Sequence, residues 1–426
     1  MNIRNLLSAI LYKPITEKDE YLFLKEHVGK DTAFSYFWGD PKAIEVVQKT
    51  LEEVINTMNE KEKAYFLFEM NVSKIVRKIE GNGVPISTEL LQEMCNNNYQ
   101  KDYMDSYKRL QSKCQSYEVE FSESFVRGSD DFEEPYTFLN CDLKAVRKKW
   151  RKKNLMDYAK LAKHIKNGRI YCTYSEYGTV TGRIQTKNPN VQGLPKEVRE
   201  KCIVPSKGKG RALILADYSA EELVLAAIIA EDKKFILDIW NDVDFHSETA
   251  AVLFGKNISE VNKKERSIAK EVTFMTLYGA KPVTLEKKFS EEGYVVSGEN
   301  IQKKILARYP MIEKIRSEIE RNGFIQLFSG RKIDCATIGR KYTWVNRCIQ
   351  SNASLVLKAV ILELDAKLPS ETQIVCLIHD EIILEVSEES IQEYAKIVRD
   401  TMENALKFFG IKEKMPVKIE VRRGED

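Results

Sequence analysis

The chain is poor in the residues that build metal cages: four histidines and eight cysteines are scattered through 426 residues, and no two cysteines form a CxxC pair. No structural zinc site is suggested, and scattered thiols fit a reduced, cytoplasmic setting. There is no secretory signal, no apolar run long enough to span a membrane, no internal repeat and no low-complexity tract. What remains is a chain without a membrane partner, long enough to bury a large core and to form two or three lobes. Strong net charge is missing too. A formal +3 is too small to argue for nucleic acid by itself.

The distribution of charge says more. Lys144, Arg147, Lys148, Lys149, Arg151, Lys152, Lys153, Lys160, Lys163, Lys166 and Arg169 share their stretch with Asp157 as its only acid. Such a block suits a phosphate backbone, from which it would release counterions; a solvated helical face accounts for it equally well.

Three further patterns carry chemistry. In RSIAKEVTFMTLYGA, Arg266, Lys270, Phe274 and Tyr278 recur every four residues, a spacing that lines side chains along one slowly drifting face of a helix. Cations first and aromatics after them suit a nucleoside triphosphate, with charge for the phosphates and rings for the base. An amphipathic helix with its aromatics in the core is the alternative. In GRALILADYSAEEL the apolar run from Ala212 to Ala216 reads as a buried strand ending at Asp217. In TQIVCLIHDEIILEV two β-branched runs flank His379-Asp380-Glu381, which reads as a hairpin tip. If those strands share a sheet, Asp217 and Asp380 can share two Mg²⁺ ions roughly 3.5–4 Å apart. Taken singly, each aspartate also suits a cap or a turn.

The order Asp-Tyr-Ser, then the Arg/Lys/Phe/Tyr-Gly helix, then the His-Asp-Glu hairpin resembles motifs A, B and C of the family-A DNA polymerases, the group of bacterial DNA polymerase I. DYSAEEL is similar to that family's DYSQIEL, RSIAKEVTFMTLYG to RRxAKxxNFGxxYG, and LIHDEIILEV to QVHDELxxEV. TVTGRIQTKNPNVQGLP and DFHSETA resemble TATGRLSSxxPNLQNIP and DIHxxTA, and the five matches run in order over about residues 169–426. The resemblance implies a polymerase module with an α+β right-hand fold: an antiparallel palm sheet, helical fingers and a reduced helical thumb. It also implies template-directed addition of dNTPs to a primer 3′-hydroxyl, with primer-template DNA as partner and two Mg²⁺ ions, replaceable by Mn²⁺, as cofactor.

Residue by residue, the resemblance implies that Asp217, Asp380 and the Tyr218 carbonyl hold the metals, with Glu381 in support. Arg266, Lys270 and His246 would bind the triphosphate, and Lys270 would protonate departing pyrophosphate. Phe274 would pack on sugar and base, Tyr278 would close the templating pocket, and Glu222 would exclude a 2′-hydroxyl. Arg183, Asn346, Gln350 and His379 would touch the minor groove or the primer end, where hydrogen-bond acceptors are nearly sequence-independent. Ala220, Glu221, Thr273 and Met275 depart from the family pattern, as does QSNAS from Gln350 onward; these bear on fidelity, sugar choice and speed.

The expected organisation begins with an accessory segment, residues 1–60, containing a helix at about Pro41 to Met58. A thumb and the start of the palm follow over 61–168, with helices at Lys61 to Glu80 and Glu89 to Cys114 and an acidic loop around Glu118 to Glu134. The palm then takes 169–231, with strands near Arg169 to Ser175 and Arg211 to Ala216; fingers take 232–343, and the palm resumes over 344–426 with a hairpin at Gln373 to Val386. Tyr36-Phe37-Trp38-Gly39-Asp40 resembles the terminal YxxxD motif of the family's proofreading 3′-5′ exonuclease, but no DxE precedes it. A plain turn before a helix accounts for the match at least as well; otherwise either the domain is vestigial or its remainder is a separate polypeptide, a separate exonuclease or other replication protein being the partner then expected. So small a module suggests a phage or other mobile element. A single-subunit RNA polymerase and a noncatalytic nucleic-acid-binding paralogue are the rival readings. Glu222 with the full His-Asp-Glu argues against the first, and retention of both metal carboxylates against the second.

Overall fold

The computed structural model describes residues 17–424 apart from 38–39, 129, 134, 177, 208–209, 242 and 338. Trp38 and Gly39 of the YxxxD-like segment lie outside the described residues. Helix α1 (Pro41–Thr57) starts where Asp40 accepts a hydrogen bond from the Lys42 N–H at 2.9 Å and Pro41 fills the first position. Helix α2 (Glu60–Asn82) opens with a reciprocal Asn59–Glu62 capping box and stops at Gly83, with φ of 64°. Val47 and Leu51 of α1 pack with Leu24, Ala33 and Phe66 in a small core of their own.

The helix expected from Glu89 to Cys114 is present as Thr88–Glu93 and Lys101–Ser116, joined by a π-helical stretch, Met94–Gln100. A short helix, Glu123–Arg127, interrupts the expected acidic loop. Helix α3 (Asn140–Leu155) carries much of the basic block and buries Leu143 and Val146 against Tyr103 and Leu110. Distant acids reach this block, which local sequence could not reveal: Arg147 pairs with Asp131 at 2.8 Å, Lys149 with Asp102 at 2.7 Å and Arg169 with Glu385 at 2.6 Å. Lys144, Lys148, Arg151, Lys152, Lys163 and Lys166 stay exposed.

Four strands form the central antiparallel sheet: β1 (Arg211–Tyr218), β2 (Gln373–Ile378), β3 (Glu381–Ser387) and β4 (Val417–Arg423), in the order β4-β1-β3-β2. β1 is buried at each position from Ala212 to Ala216, as a central strand covered on both faces must be. The segment Arg169 to Ser175 does not join this sheet. Arg169–Ile170 pairs with Val84–Pro85 and Ile165–Lys166, while Thr173–Ser175 pairs with Gln185–Lys187. Arg169 donates to the Asn82 and Gly83 carbonyls, so this segment wraps the end of α2 instead. β4 takes the edge that the sequence reading left unassigned. Its VKIEVRR alternation suits a strand with one wet face.

Helix α4 (Glu221–Ile229) follows β1 directly, and α5 (Phe245–Phe254) packs on α6 (Lys263–Leu277). Helix α7 (Trp344–Lys367) is buried along most of its length, and α8 (Ile391–Glu403) covers the sheet, where Met402 accepts a hydrogen bond from the Tyr218 hydroxyl at 2.9 Å. Residues 232–343 are mainly helical, with one small hairpin, Phe324–Gln326 with Lys332–Asp334, among the described residues. No described helix is long and apolar enough to cross a membrane.

Candidate active site

The sheet register sets Asp217 on β1 opposite Glu381 on β3 and opposite Lys418 on β4. His379 and Asp380 form the two-residue turn closed by the Ile378–Glu381 pair. The two aspartates, distant in sequence, therefore meet at one end of one sheet. His379 (φ 58°) and Ala220 (φ 52°), on either side of this point, adopt the left-handed region without being glycine. Each such residue costs roughly 1–2 kcal/mol, and strain of this kind concentrates at functional sites.

Burial, and then repulsion from Asp380, push the Asp217 carboxyl up to about 6 against the opposing pull of Lys418, Arg199 and Lys196. Asp380 is also pushed up, first by burial, although its own backbone N–H and Arg183 act the other way. Glu381 is raised by burial and by Asp217, while Arg199 pairs with it at 3.4 Å. Glu221 is buried at 6% exposure and raised strongly by burial and by Asp380. No group of three or more His, Cys, Asp or Glu side chains among the described residues is arranged to hold a metal unaided. Two carboxylates with the Tyr218 carbonyl nonetheless fit Mg²⁺, which retains water and substrate phosphate as its other ligands. The repulsion within this desolvated cleft is one that a divalent cation would offset.

Three clefts converge on His379. One of about 690 Å³ contains Asp217, Asp380 and Glu381 with Lys196, Arg199 and Lys418. A second, about 570 Å³, gathers Arg183, Glu221, Tyr278, Asn346 and Gln350. The third, about 790 Å³, runs between Asn154–His164 and Gln185–Gly193. Glu222 ties the second cleft together: it accepts from Arg183 at 3.1 Å, from the Tyr278 hydroxyl at 2.8 Å and from Gln350 at 3.4 Å.

Helix α6 buries Glu265, Ile268, Ala269, Val272, Thr273, Thr276 and Leu277, which turns the Arg266–Lys270–Phe274–Tyr278 stripe away from the core. Phe274 is only partly covered, Tyr278 is 43% exposed and Lys270 is exposed. Neither aromatic is fully buried, although Phe274 packs against the margin of the main core. His246 stands beside Phe274, ring centroids 6.1 Å apart, and Phe274 lies 6.2 Å from Tyr278. A continuous path therefore leads from the His246 face to Glu222. Arg266 is held by Asp244 at 2.8 Å. Gly279 ends the stripe because a β-carbon there would lie 2.1 Å from the Tyr342 carbonyl oxygen, at φ of +81°.

Lys418 and Arg199 escaped the sequence reading. Lys418 could have been found from the alternation in VKIEVRR once that run was read as a strand; Arg199 sits in a helix and pairs across 182 residues, which leaves no local signal.

Residues 142–426 match DNA polymerase family A. DNA polymerase I of Caldicellulosiruptor bescii is 31% identical over 285 residues, covering 61% of this chain and 32% of that protein. DNA polymerase I of Aquifex aeolicus is 29% identical over 274 residues, covering 61% of this chain and 46% of its own length. The chain thus spans less than half the length of either relative. In structure it is similar to the POL domain of Pol1 from M. smegmatis, solved with DNA primer-template and dNTP, with a TM-score of 0.78 and 19% identity over 98% of this chain and 81% of that one. The α+β architecture is that of a polymerase domain. With the family match covering well over half its length, the chain belongs to DNA polymerase family A.

Proposed function

We propose that the chain carries out template-directed DNA synthesis, joining dNTPs to a primer 3′-hydroxyl at the Asp217–Asp380 pair. The observation that carries this reading is the meeting of two sequence-distant aspartates at the end of one sheet, beside a helix face of cations and aromatics. The names of the relatives and the primer-template and dNTP of the M. smegmatis domain support DNA and dNTPs as partners. Two Mg²⁺ ions, with Mn²⁺ able to replace them, would be held by Asp217, Asp380 and the Tyr218 carbonyl and would supply charge to activate the hydroxyl and steady pyrophosphate.

The chain's own groups do the rest. Lys270 is free to meet the triphosphate and to pass a proton to departing pyrophosphate, whereas Arg266 must exchange Asp244 for phosphate. His246 and Phe274 border the same face, for phosphate and for sugar with base. Glu222, gripped by Arg183, Tyr278 and Gln350, occupies the place where a 2′-hydroxyl would press. Arg183, Asn346, Gln350 and His379 line the clefts where minor-groove acceptors would pass. On this reading residues 61–168 serve as thumb and start of palm, 169–231 and 344–426 as palm, and 232–343 as fingers.

The chain by itself does not proofread. Asp40 is occupied as a helix cap, and the described residues between 17 and 57 are helical, without a sheet to hold a second set of metal-binding carboxylates. Primer extension with purified protein, Mg²⁺ and either dNTPs or rNTPs tests the reading. Extension with dNTPs well above rNTPs is expected, together with an intact 3′-mismatched primer when no dNTP is present. No extension, or equal use of rNTPs, would overturn the DNA polymerase assignment; primer shortening abolished by Asp40→Ala would overturn the proofreading statement.

A further inference from the structure

Helix α2 has no part in the chemistry above, yet Glu69, Ser73 and Arg77 recur along one of its faces at four-residue spacing, the first two buried and Arg77 at the rim with 41% of its side chain exposed. Glu69, 1% exposed, receives Lys358 Nζ at 2.9 Å on both oxygens, and Lys358 is itself 2% exposed. Ser73 donates to Glu176 at 3.0 Å, and Arg77 reaches both Glu176 oxygens at 2.8 Å and the Tyr174 carbonyl at 3.0 Å. Glu176 is fully buried. The Ser73 and Arg77 contacts hold the start of the segment that leads to Arg183.

Lys358 lies on α7, and Ser354, one turn earlier, donates to the Gly182 carbonyl at 2.5 Å. A β-carbon built on Gly182 would be 3.6 Å from Ser354 Oγ and 3.8 Å from Lys358 Nζ, so the chain passes directly over the ammonium; its φ of +73° favours glycine. The turn is closed by the Gly182 N–H donating to the Thr179 carbonyl at 3.1 Å and the Arg183 N–H donating to Thr179 Oγ1 at 2.9 Å. From that turn Arg183 reaches Glu222.

A buried ion pair is a weak source of stability, because a well-packed apolar pair of similar volume often does as well. What it does fix is position. We infer that the Glu69–Lys358 pair is a positioning device, which sets the Thr179–Arg183 turn and so holds Arg183 for the primer end. The inference rests on the proposed reading of Arg183 as a primer-end contact. It also makes α2, which precedes the family match at residues 142–426, part of the site.

The test uses the full chain carrying Glu69→Leu with Lys358→Met, which removes both charges together. Hydrogen exchange should quicken by about tenfold or more at the Gly182 and Arg183 amides while protection of β1 and β3 is unchanged. In single-nucleotide extension at saturating dNTP, Arg183→Ala should cost about tenfold in the wild-type background and less than about threefold in the double variant. Unchanged protection at 182–183, acceleration spread evenly over the sheet, or an equal Arg183→Ala effect in both backgrounds would each overturn the inference. If Arg183→Ala were silent in the wild-type background, the primer-end reading would fail, and local exchange would still decide whether the pair fixes the turn. Should the double variant not fold, Ser354→Ala removes only the hydrogen bond to Gly182 and is judged by the same exchange criterion.

Discussion

His246 Nδ1 is buried without a hydrogen-bond partner among the described residues. Burial, then Lys270 and Arg266, push the imidazole down to about 4. The unfolded value is about 6.5, so the unfolded chain binds the extra proton between the two. This residue's stabilising contribution is therefore full above about pH 6.5 and is lost as pH falls toward 4. A bound triphosphate, being anionic, would favour the charged ring and raise its pKa. NMR titration of the four histidines should find one that stays neutral down to about pH 5 and shifts upward with nucleotide; an ordinary value for His246 in the free protein would remove it from the phosphate face. Glu222→Ala should raise rNTP use relative to dNTPs in single-nucleotide kinetics, because the side chain gripped by Tyr278 and Arg183 fills that space. Unchanged sugar selectivity would transfer the role to its neighbour Glu221. Asp217, Asp380 and Glu222 could be located in the sequence because each sits in a short motif. Glu69 and Lys358 could not, since each has its partner on another element and only the buried core joins them.

At the scale of elements, the motif B helix was legible from its four-residue stripe and the Tyr-Gly at its end, and the structure adds an Asn262–Glu265 capping box at its start. The hairpin was legible from two β-branched runs, although its turn uses His379 at positive φ in place of the usual Asn-Gly. Sheet membership was less so. Residues 169–175 have strand composition but are drawn to the end of α2 by Arg169, and β4 alternates too many charges to stand out as a strand without its partner. Gly279→Ala should destabilise the fold by about 2–4 kcal/mol in urea unfolding, since positive φ and contact with the Tyr342 carbonyl act together. A change below about 0.5 kcal/mol, the size of an ordinary surface effect, would show that the approach of α6 to Tyr342 is not tight.

Across the whole molecule, the basic block divides by what distant acids claim. Arg147, Lys149 and Arg169 are held in ion pairs, while Lys148, Arg151 and Lys152 are exposed on α3 and available to a phosphate backbone. Replacing those three with alanine should weaken primer-template binding and reduce the slope of log affinity against log salt by about 2–3. An unchanged slope would take α3 out of the DNA interface. The central claim is that the Asp217–Asp380 pair is where synthesis occurs, and it is tested most directly by single-turnover incorporation with Asp217→Asn and Asp380→Asn, alongside primer-template affinity by fluorescence anisotropy. The expected result is a rate loss of more than about a hundredfold, equivalent to about 2.7 kcal/mol in barrier, with affinity within about threefold of wild type. Retention of a tenth of the wild-type rate by either variant would contradict it.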